Sequence, residues 1–412
     1  MVSETARPFA ERQAQHSQTG LLIVVSAAHL VSHFYILVLP VLLPLLKERL
    51  RVGFFEIGLA LTAFNVVTGL TQAPMGFLVD RVGPRLVLMA GLCLGGLAFA
   101  TLGIASTYPV LIAVALVAGL ANCVYHPADY ALLADAIPEH RVGRAFSIHT
   151  FAGFAGGAMA PPLLLGVAAY AGLAAALLIA GLVGPAVAGL LLLRGEPAGA
   201  PPGKPRAAVS RRVARSLFSP SILALTGFFT LLALSSGGIQ SFSVVALLAT
   251  QDMTLASANV ALTAYLTCAA IGVLCGGFLA DRTVYHGYVA AIGFGLSTAI
   301  VAAIAVLGLP AAVIVGAFAL AGFLSGIIMP SRDMLVRKEA PPGMVGRAFG
   351  IVSTGFNIGG IIGPMLFGWI MDHASPAWVF GVSALFMGVT AAFGIASERR
   401  ARQRLAAQIG AR

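Results

Sequence analysis

Four short stripes of polar side chains interrupt the apolar segments of this chain, with members three or four residues apart. Ser26, His29 and His33 form the first, Asn122, His126 and Asp129 the second. Ser236, Gln240 and Ser243 form the third, and Ser325, Met329 and Arg332 the fourth. Residues at that spacing share one face of an α-helix. An ionisable side chain at the middle of a membrane helix costs about 2.5–3.5 kcal/mol on insertion scales, so it marks a polar cavity or pathway. The chemistry available is proton transfer and ion pairing. Histidine titrates near neutral pH, which lets His29, His33 and His126 relay protons. Asp129 can take a proton or gate by pairing with a cation. Arg332 can face Asp129, hold an anionic solute group, or pair with its neighbour Asp333. His29 and His33 have metal-ligand spacing, but their span supplies no acidic third ligand, so no metal site is expected. Asn65, Thr68, Gln72, His149, Thr263, Thr267, Ser353 and Asn357 are candidates for a cavity rim. Phosphate-binding glycine loops, nucleophile elbows and catalytic carboxylate pairs are absent, which argues against an enzyme and against a cofactor. With no ATP-binding motif, any energy such a pathway uses must come from a gradient.

The elements that position these residues follow from composition. Of 412 residues, 59% are hydrophobic and only 10% charged, with mean hydropathy +0.95. A soluble domain carries about a quarter of its residues charged, so this chain lacks the polar surface to stay in water. The apolar runs are continuous and near the roughly 20 residues that a helix needs to cross a bilayer, not the short alternating segments of a barrel. Twelve spans are expected at roughly 20–46, 54–79, 84–106, 108–134, 143–170, 172–193, 219–249, 255–280, 286–308, 310–336, 346–371 and 376–397. The fold class is therefore all-α integral membrane. The net charge of +10 does not signal nucleic acid, because the basic residues sit in short loops. Arg81, Arg85, Arg141, Arg144, the 194–215 cluster, Arg282, Arg337, Lys338, Arg347 and the tail from Arg399 all fall on the side of the termini. Opposite them stand only Lys47, Arg49 and Arg51, so both termini are expected in the cytoplasm. The polar start lacks a cleavable signal peptide's apolar core, so the first span is expected to direct insertion. Residues 195–217, rich in Pro, Gly and Arg, read as a cytoplasmic linker. The expected organisation is a segment 1–19, a six-helix bundle 20–194, that linker, a second bundle 218–397, and a basic tail 398–412. Cys93, Cys123, Cys268 and Cys275 read as small reduced hydrophobes.

The two halves repeat. VGRAFSI from Val142 recurs as VGRAFGI from Val345, and in that register Gly156, Gly157 and Pro161 match Gly359, Gly360 and Pro364. Pro127 matches Pro330, Asp129 matches Arg332, and GFLVDR from Gly76 matches GFLADR from Gly277. Chain direction is preserved throughout, as for two pseudo-symmetric bundles related by an axis along the membrane normal. GFLVDRVGPR, from Gly76 to Arg85, resembles the G-x-x-x-D-R-x-G-R-R loop signature of the major facilitator superfamily, with Pro84 where a basic residue is commoner. SAAHLVSHFY, EIGLALTAFNVVTGLTQAPMGFLVDR and VYHPADYALL are similar to the fosmidomycin-resistance branch of exporters, which carries an acid directly after His-Pro where this chain has Ala128 and then Asp129.

The resemblance implies that spans 1, 4, 7 and 10 line a central cavity, where the four stripes already lie. It implies that Asp80, supported by Gly76, Arg81, Gly83 and Arg85, pairs with an arginine such as Arg144 and latches one conformation. Asp281 and Arg347 would be the weaker second copy. GGAMAP and GGIIGP place Gly156, Gly157 and Pro161, and Gly359, Gly360, Gly363 and Pro364, where backbones pack closely. The drug-exporter antiporter motif is similar but continues with two further glycines. The expected function is alternating-access transport of a small organic solute, with protons as coupling partner and efflux as direction, by a functional monomer in a bacterial inner membrane. An importer or exchanger of a small anionic metabolite is the alternative, and a non-transporting sensor stands further off.

Overall fold

The computed structural model describes residues 6–194, 219–341 and 345–410. The expected linker 195–217 lies outside the described residues, as does the side chain of Arg347. Every regular element among the described residues is an α-helix. In chain order they are α1 (Ala6–Leu50), α2 (Phe54–Val82), α3 (Pro84–Ile104), α4 (Tyr108–Asn122), α5 (Tyr125–Ala136) and α6 (Glu139–Leu193). They continue with α7 (Pro220–Thr250), α8 (Leu255–Arg282), α9 (His286–Val306), α10 (Ala311–Glu339), α11 (Val345–His373) and α12 (Trp378–Gly410).

Among the described residues, eleven helical segments are long and apolar enough to cross a membrane. One of them, Arg144–Leu193, has 50 residues. At 1.5 Å per residue it would run about 75 Å, more than twice the hydrocarbon core. Gly172 breaks it, with φ 84° and ψ 170°, backbone that an L side chain rarely adopts. The fifth and sixth spans are thus separate crossings, divided where the sequence placed the boundary.

The fourth span keeps its expected bounds, Tyr108–Ala134, and is interrupted within them: α4 gives way to α5 at Cys123 and Val124, both of which keep right-handed backbone. Pro127 is the cause: without an N–H it cannot donate to the carbonyl of Cys123 four residues earlier, so the chain turns there. Asn122 ends α4, while His126 and Asp129 lie on α5, so this stripe straddles a break. Its counterpart Pro330 sits inside an unbroken α10.

The chain divides into two compact units, Met1–Val38 with Val67–Arg206, and Leu39–Val66 with Ala207–Arg412. In the first, glycines bring backbones together. A Cβ on Gly156 would run into the Leu30 carbonyl of α1, and one on Gly96 into the Gly181 carbonyl of α6. The Gly184 amide donates to the Tyr35 hydroxyl at 2.9 Å, and Thr68 donates to the Gly119 carbonyl at 3.0 Å.

The second unit repeats these pairings. A Cβ on Gly359 would lie 2.5 Å from Ala233 of α7, and one on Gly326 would strike the Ala269 carbonyl of α8. Gly287 and Gly394 hold α9 against α12, and Glu398 accepts from the Gly287 amide at 3.1 Å. The end of α1 and the start of α2, Leu39–Val66, belong to this unit and lie along α11. Thr62 donates to the Ile361 carbonyl at 2.8 Å, and a Cβ on Gly360 would meet Asn65 at 2.6 Å. At the α1–α2 turn, Asp372 accepts from the Phe55 amide at 2.7 Å and stands 3.9 Å from the Lys47 amine. Gln251 staples two helix ends, donating to the Ile304 and Leu307 carbonyls at 3.0 and 3.1 Å and accepting from the Leu309 amide at 3.2 Å.

Candidate functional site: a buried histidine–aspartate cluster

The ionisable residues of the first unit converge. Asp129, on α5, is fully buried. One of its oxygens lies 3.5 Å from Nδ1 of His29 on α1 and 3.7 Å from Nε2 of His149 on α6. The His29 and His149 rings stack with centroids 3.9 Å apart and 22° between planes. His33 and His126 complete the group, with centroids 4.7 and 5.2 Å from that of His29. Four of the chain's eight histidines thus gather at this site, two of them 3.5 and 3.7 Å from the carboxylate.

Local sequence explains the convergence. His29 and His33 share a face of α1 by spacing. Gly153 of α6 lets that face approach, since a Cβ there would come within 2.7 Å of His29 Nε2 and 2.9 Å of His33 Cδ2. His126 and Asp129 fall one turn apart on α5 directly after the break before Pro127. Tyr130 walls the group, its ring 5.8 Å from those of His126 and His149.

The cluster is polar but short of donors. Both Asp129 oxygens, both His149 nitrogens and Nδ1 of His29 and His126 are buried without a hydrogen-bond partner among the described residues. A buried carboxylate in that setting must take a proton, share one with an imidazole, or face a cation, because an uncompensated charge away from water costs several kcal/mol.

His149 is the residue that sequence reasoning undervalued. It stood among the rim candidates, yet it is fully buried beside Asp129. Its only signal was a lone histidine in an apolar run. The expectation against a metal site considered the first span alone. The acidic ligand missing there arrives from the fourth span, with a further imidazole from the fifth.

In the second unit Arg332 takes the neighbour option. Its Nε and Nη2 donate to one Asp333 oxygen at 2.9 and 2.8 Å, and its guanidinium lies 4.8 and 5.3 Å from the rings of Phe229 and Phe356. Those two phenylalanines carried no polar signal and were not anticipated. Gln240 and Asn357 are half-buried on α7 and α11, and Asn122 is half-buried at the end of α4.

The loop-signature residues are mostly at the surface. Asp80, Arg81, Arg144 and Asp281 are exposed, and no ion pair joins Asp80 to Arg81 or Arg144 among the described residues. Arg85 instead donates to the Leu191 and Leu192 carbonyls, capping the end of α6. Gly83 has φ 100°, which explains a glycine in the turn. A Cβ on Gly76 would meet nothing within 4 Å. Of the packing residues, Gly156, Gly359 and Gly360 have no room for a Cβ against neighbouring helices, a Cβ on Gly157 or Gly363 would stand at ordinary van der Waals distance from Leu37 or Leu234, and Pro161 and Pro364 lie inside α6 and α11.

Comparison with known proteins identifies the family and the fold. The family model described as Major Facilitator Superfamily matches residues 25–252 and 228–411. The fosmidomycin resistance protein of Escherichia coli K12 is 24% identical over 401 residues, covering 93% of this chain and 95% of that one. A probable L-galactonate transporter of the same organism is 29% identical over 119 residues, covering 29% of this chain and 26% of its own. Among solved structures, a bacterial homologue of the human lysosomal transporter Spinster superposes with TM-score 0.80 at 14% identity, covering 93% of this chain and 97% of that one. The nucleoside transporter NupG gives 0.73 at 16% identity, covering 92% and 99%. Helices of membrane-crossing length, the two-copy repeat and the family match have one reading: this chain belongs to the Major Facilitator Superfamily and is a multi-pass membrane transporter of small solutes, not an enzyme.

Proposed function

We propose that the chain is a proton-coupled exporter of a small organic compound, with the Asp129–histidine cluster as its coupling site. The observation that carries this reading is the fully buried Asp129, 3.5 and 3.7 Å from two imidazoles, with neither oxygen hydrogen-bonded. A carboxylate so placed changes its interactions sharply on gaining or losing a proton. Its helices are the first, fourth and fifth spans, so a local charge change acts directly on the elements that must move in alternating access. The 401-residue likeness to a protein named for fosmidomycin resistance supports efflux as the direction.

The rest of the reading follows from the sequence. Both termini face the cytoplasm of a bacterial inner membrane, the carrier works as a monomer, and Asp80 with its neighbouring arginines latches one conformation. Residues 20–194 and 218–397 act as the two moving bundles, joined by the 195–217 linker. Gln240, Arg332 and Asn357 contribute the second half's polar contacts to the solute.

The test is solute-dependent proton flux in proteoliposomes, screened with cationic, neutral and anionic compounds. Flux that appears with a solute and disappears in Asp129→Asn, at unchanged insertion, supports the reading. Solute transport that is fully retained in Asp129→Asn, without any response to a proton gradient in either protein, defeats it. One observation favours a second reading, exchange or import of a small anion: Arg332 lies against the adjoining rings of Phe229 and Phe356 with its guanidinium half-committed to Asp333. Saturable uptake of an anion that is lost in Arg332→Gln and insensitive to protons would select it.

A further inference from the structure

We propose that His29, Asp129 and His149, joined by His126, form a binding site for one late first-row divalent ion such as Zn²⁺, Co²⁺ or Ni²⁺. All four residues lie in the first unit. The three primary ligand atoms, one from each side chain, fall within 4.8 Å of one another. A tetrahedral ion with bonds of about 2.0 Å holds its ligand atoms about 3.3 Å apart. The two distances to the Asp129 oxygen, 3.5 and 3.7 Å, need close by only a few tenths of an ångström. The imidazole pair must adjust more, since the rings are stacked, and His149 can turn because neither of its nitrogens is engaged. His126 lies outside this set of three, its ring centroid 5.2 Å from that of His29, and its buried, unpartnered Nδ1 would have to swing in to serve as fourth donor.

Donor chemistry sets the ion. Imidazoles with one carboxylate suit Zn²⁺, Co²⁺, Ni²⁺ and Cu²⁺, whereas Ca²⁺ and Mg²⁺ take six or more oxygens, which the cluster lacks. An ion would satisfy at once the Asp129 charge and one nitrogen of each imidazole that binds it. It would also bridge the first, fourth and fifth spans, fixing helices that transport requires to move. Such an ion is therefore expected to arrest the carrier. The inference rests on the geometry of the cluster and not on the coupling role given to it above.

The test uses full-length protein in detergent, stripped with chelator and titrated with Co²⁺, whose four-coordinate complexes give strong visible d–d bands. The expected result is one ion per chain with a four-coordinate spectrum, affinity weakened at least about tenfold in His149→Ala, and the band lost in Asp129→Asn. His373→Ala, outside the cluster, should match the parent. His126→Gln, a milder change, should shift the spectrum and serves where a stronger variant is not monodisperse. No stoichiometric binding, or binding unaffected by these cluster substitutions, overturns the proposal. Proton flux separates the two readings: flux without metal binding removes this site alone, and metal binding without flux removes the coupling role alone.

Discussion

Replacing Asp372 by alanine should free the turn between α1 and α2. The Asp372 carboxylate accepts the amide of Phe55, the second residue of α2, at 2.7 Å, supplying from α11 the cap that Gly53 has no side chain to provide. A hydrogen bond to a charged group contributes about 1.5–3 kcal/mol, and a carboxylate at a helix N-terminus about 0.3–1 kcal/mol. The Lys47 amine is 3.9 Å away and 40% exposed, so its share is at most about 0.5 kcal/mol. Water can reach the exposed amide once the carboxylate is gone, which pulls the net loss towards about 1.5–2 kcal/mol. At 1.4 kcal/mol per decade this corresponds to backbone hydrogen exchange about 10–30-fold faster, confined to the start of α2. Asp372→Asn, which keeps an acceptor oxygen but not the charge, should fall between. Hydrogen exchange read by mass spectrometry on a peptide spanning residues 51–62 measures it directly. A change below about threefold would show that the carboxylate does not cap α2. Equal acceleration across α3 and α9 would show a global effect instead and refute the local assignment.

Other substitutions test further parts of the structure. Gly83→Ala should cost about 1–2 kcal/mol from backbone strain alone, because φ is 100° and a Cβ meets nothing within 4 Å; a thermal shift equal to that of Gly76→Ala would contradict this. Gly153→Ala should push α1 from α6 at the histidines and lose proton flux while leaving solute binding by the second unit largely intact, which a flux assay beside a binding assay resolves. Gln251→Ala removes three hydrogen bonds, so a loss of about 1–3 kcal/mol is expected, and an unchanged melting temperature would count against the staple. Asp333→Asn should release Arg332 and alter the charge preference of transported solutes, whereas an unchanged preference would separate Arg332 from solute recognition.

Much of this molecule was legible without coordinates. Sparse charge and runs of spanning length fix a helical membrane protein, because lipid forces each segment to satisfy its own backbone. The VGRAF and GFL-DR repeats and the loop signature identified the family, and spacing alone put His29, His33, His126 and Asp129 on inward-facing stripes. Gly156 and Gly359 were recognisable as packing positions, since only a residue without a side chain permits such close backbones.

Tertiary structure decided the partners. Asp129 was legible as an intramembrane acid, but its neighbours come from spans 1 and 5, over 90 residues and about 20 residues away in sequence, and no periodicity encodes a distance between helices. His149 rose from the rim to the centre for the same reason: burial depends on which helix lies opposite. Arg332 offered several partners, and the fold paired it with Asp333 beside the adjoining rings of Phe229 and Phe356, a choice set by side-chain geometry. Pro127 broke its helix where Pro330 did not, although the two match in sequence, since a proline's effect depends on whether neighbouring groups can satisfy the carbonyl it leaves unpaired. The sequence by itself determined which residues leave water for the membrane. Only the packed structure determined which of them meet.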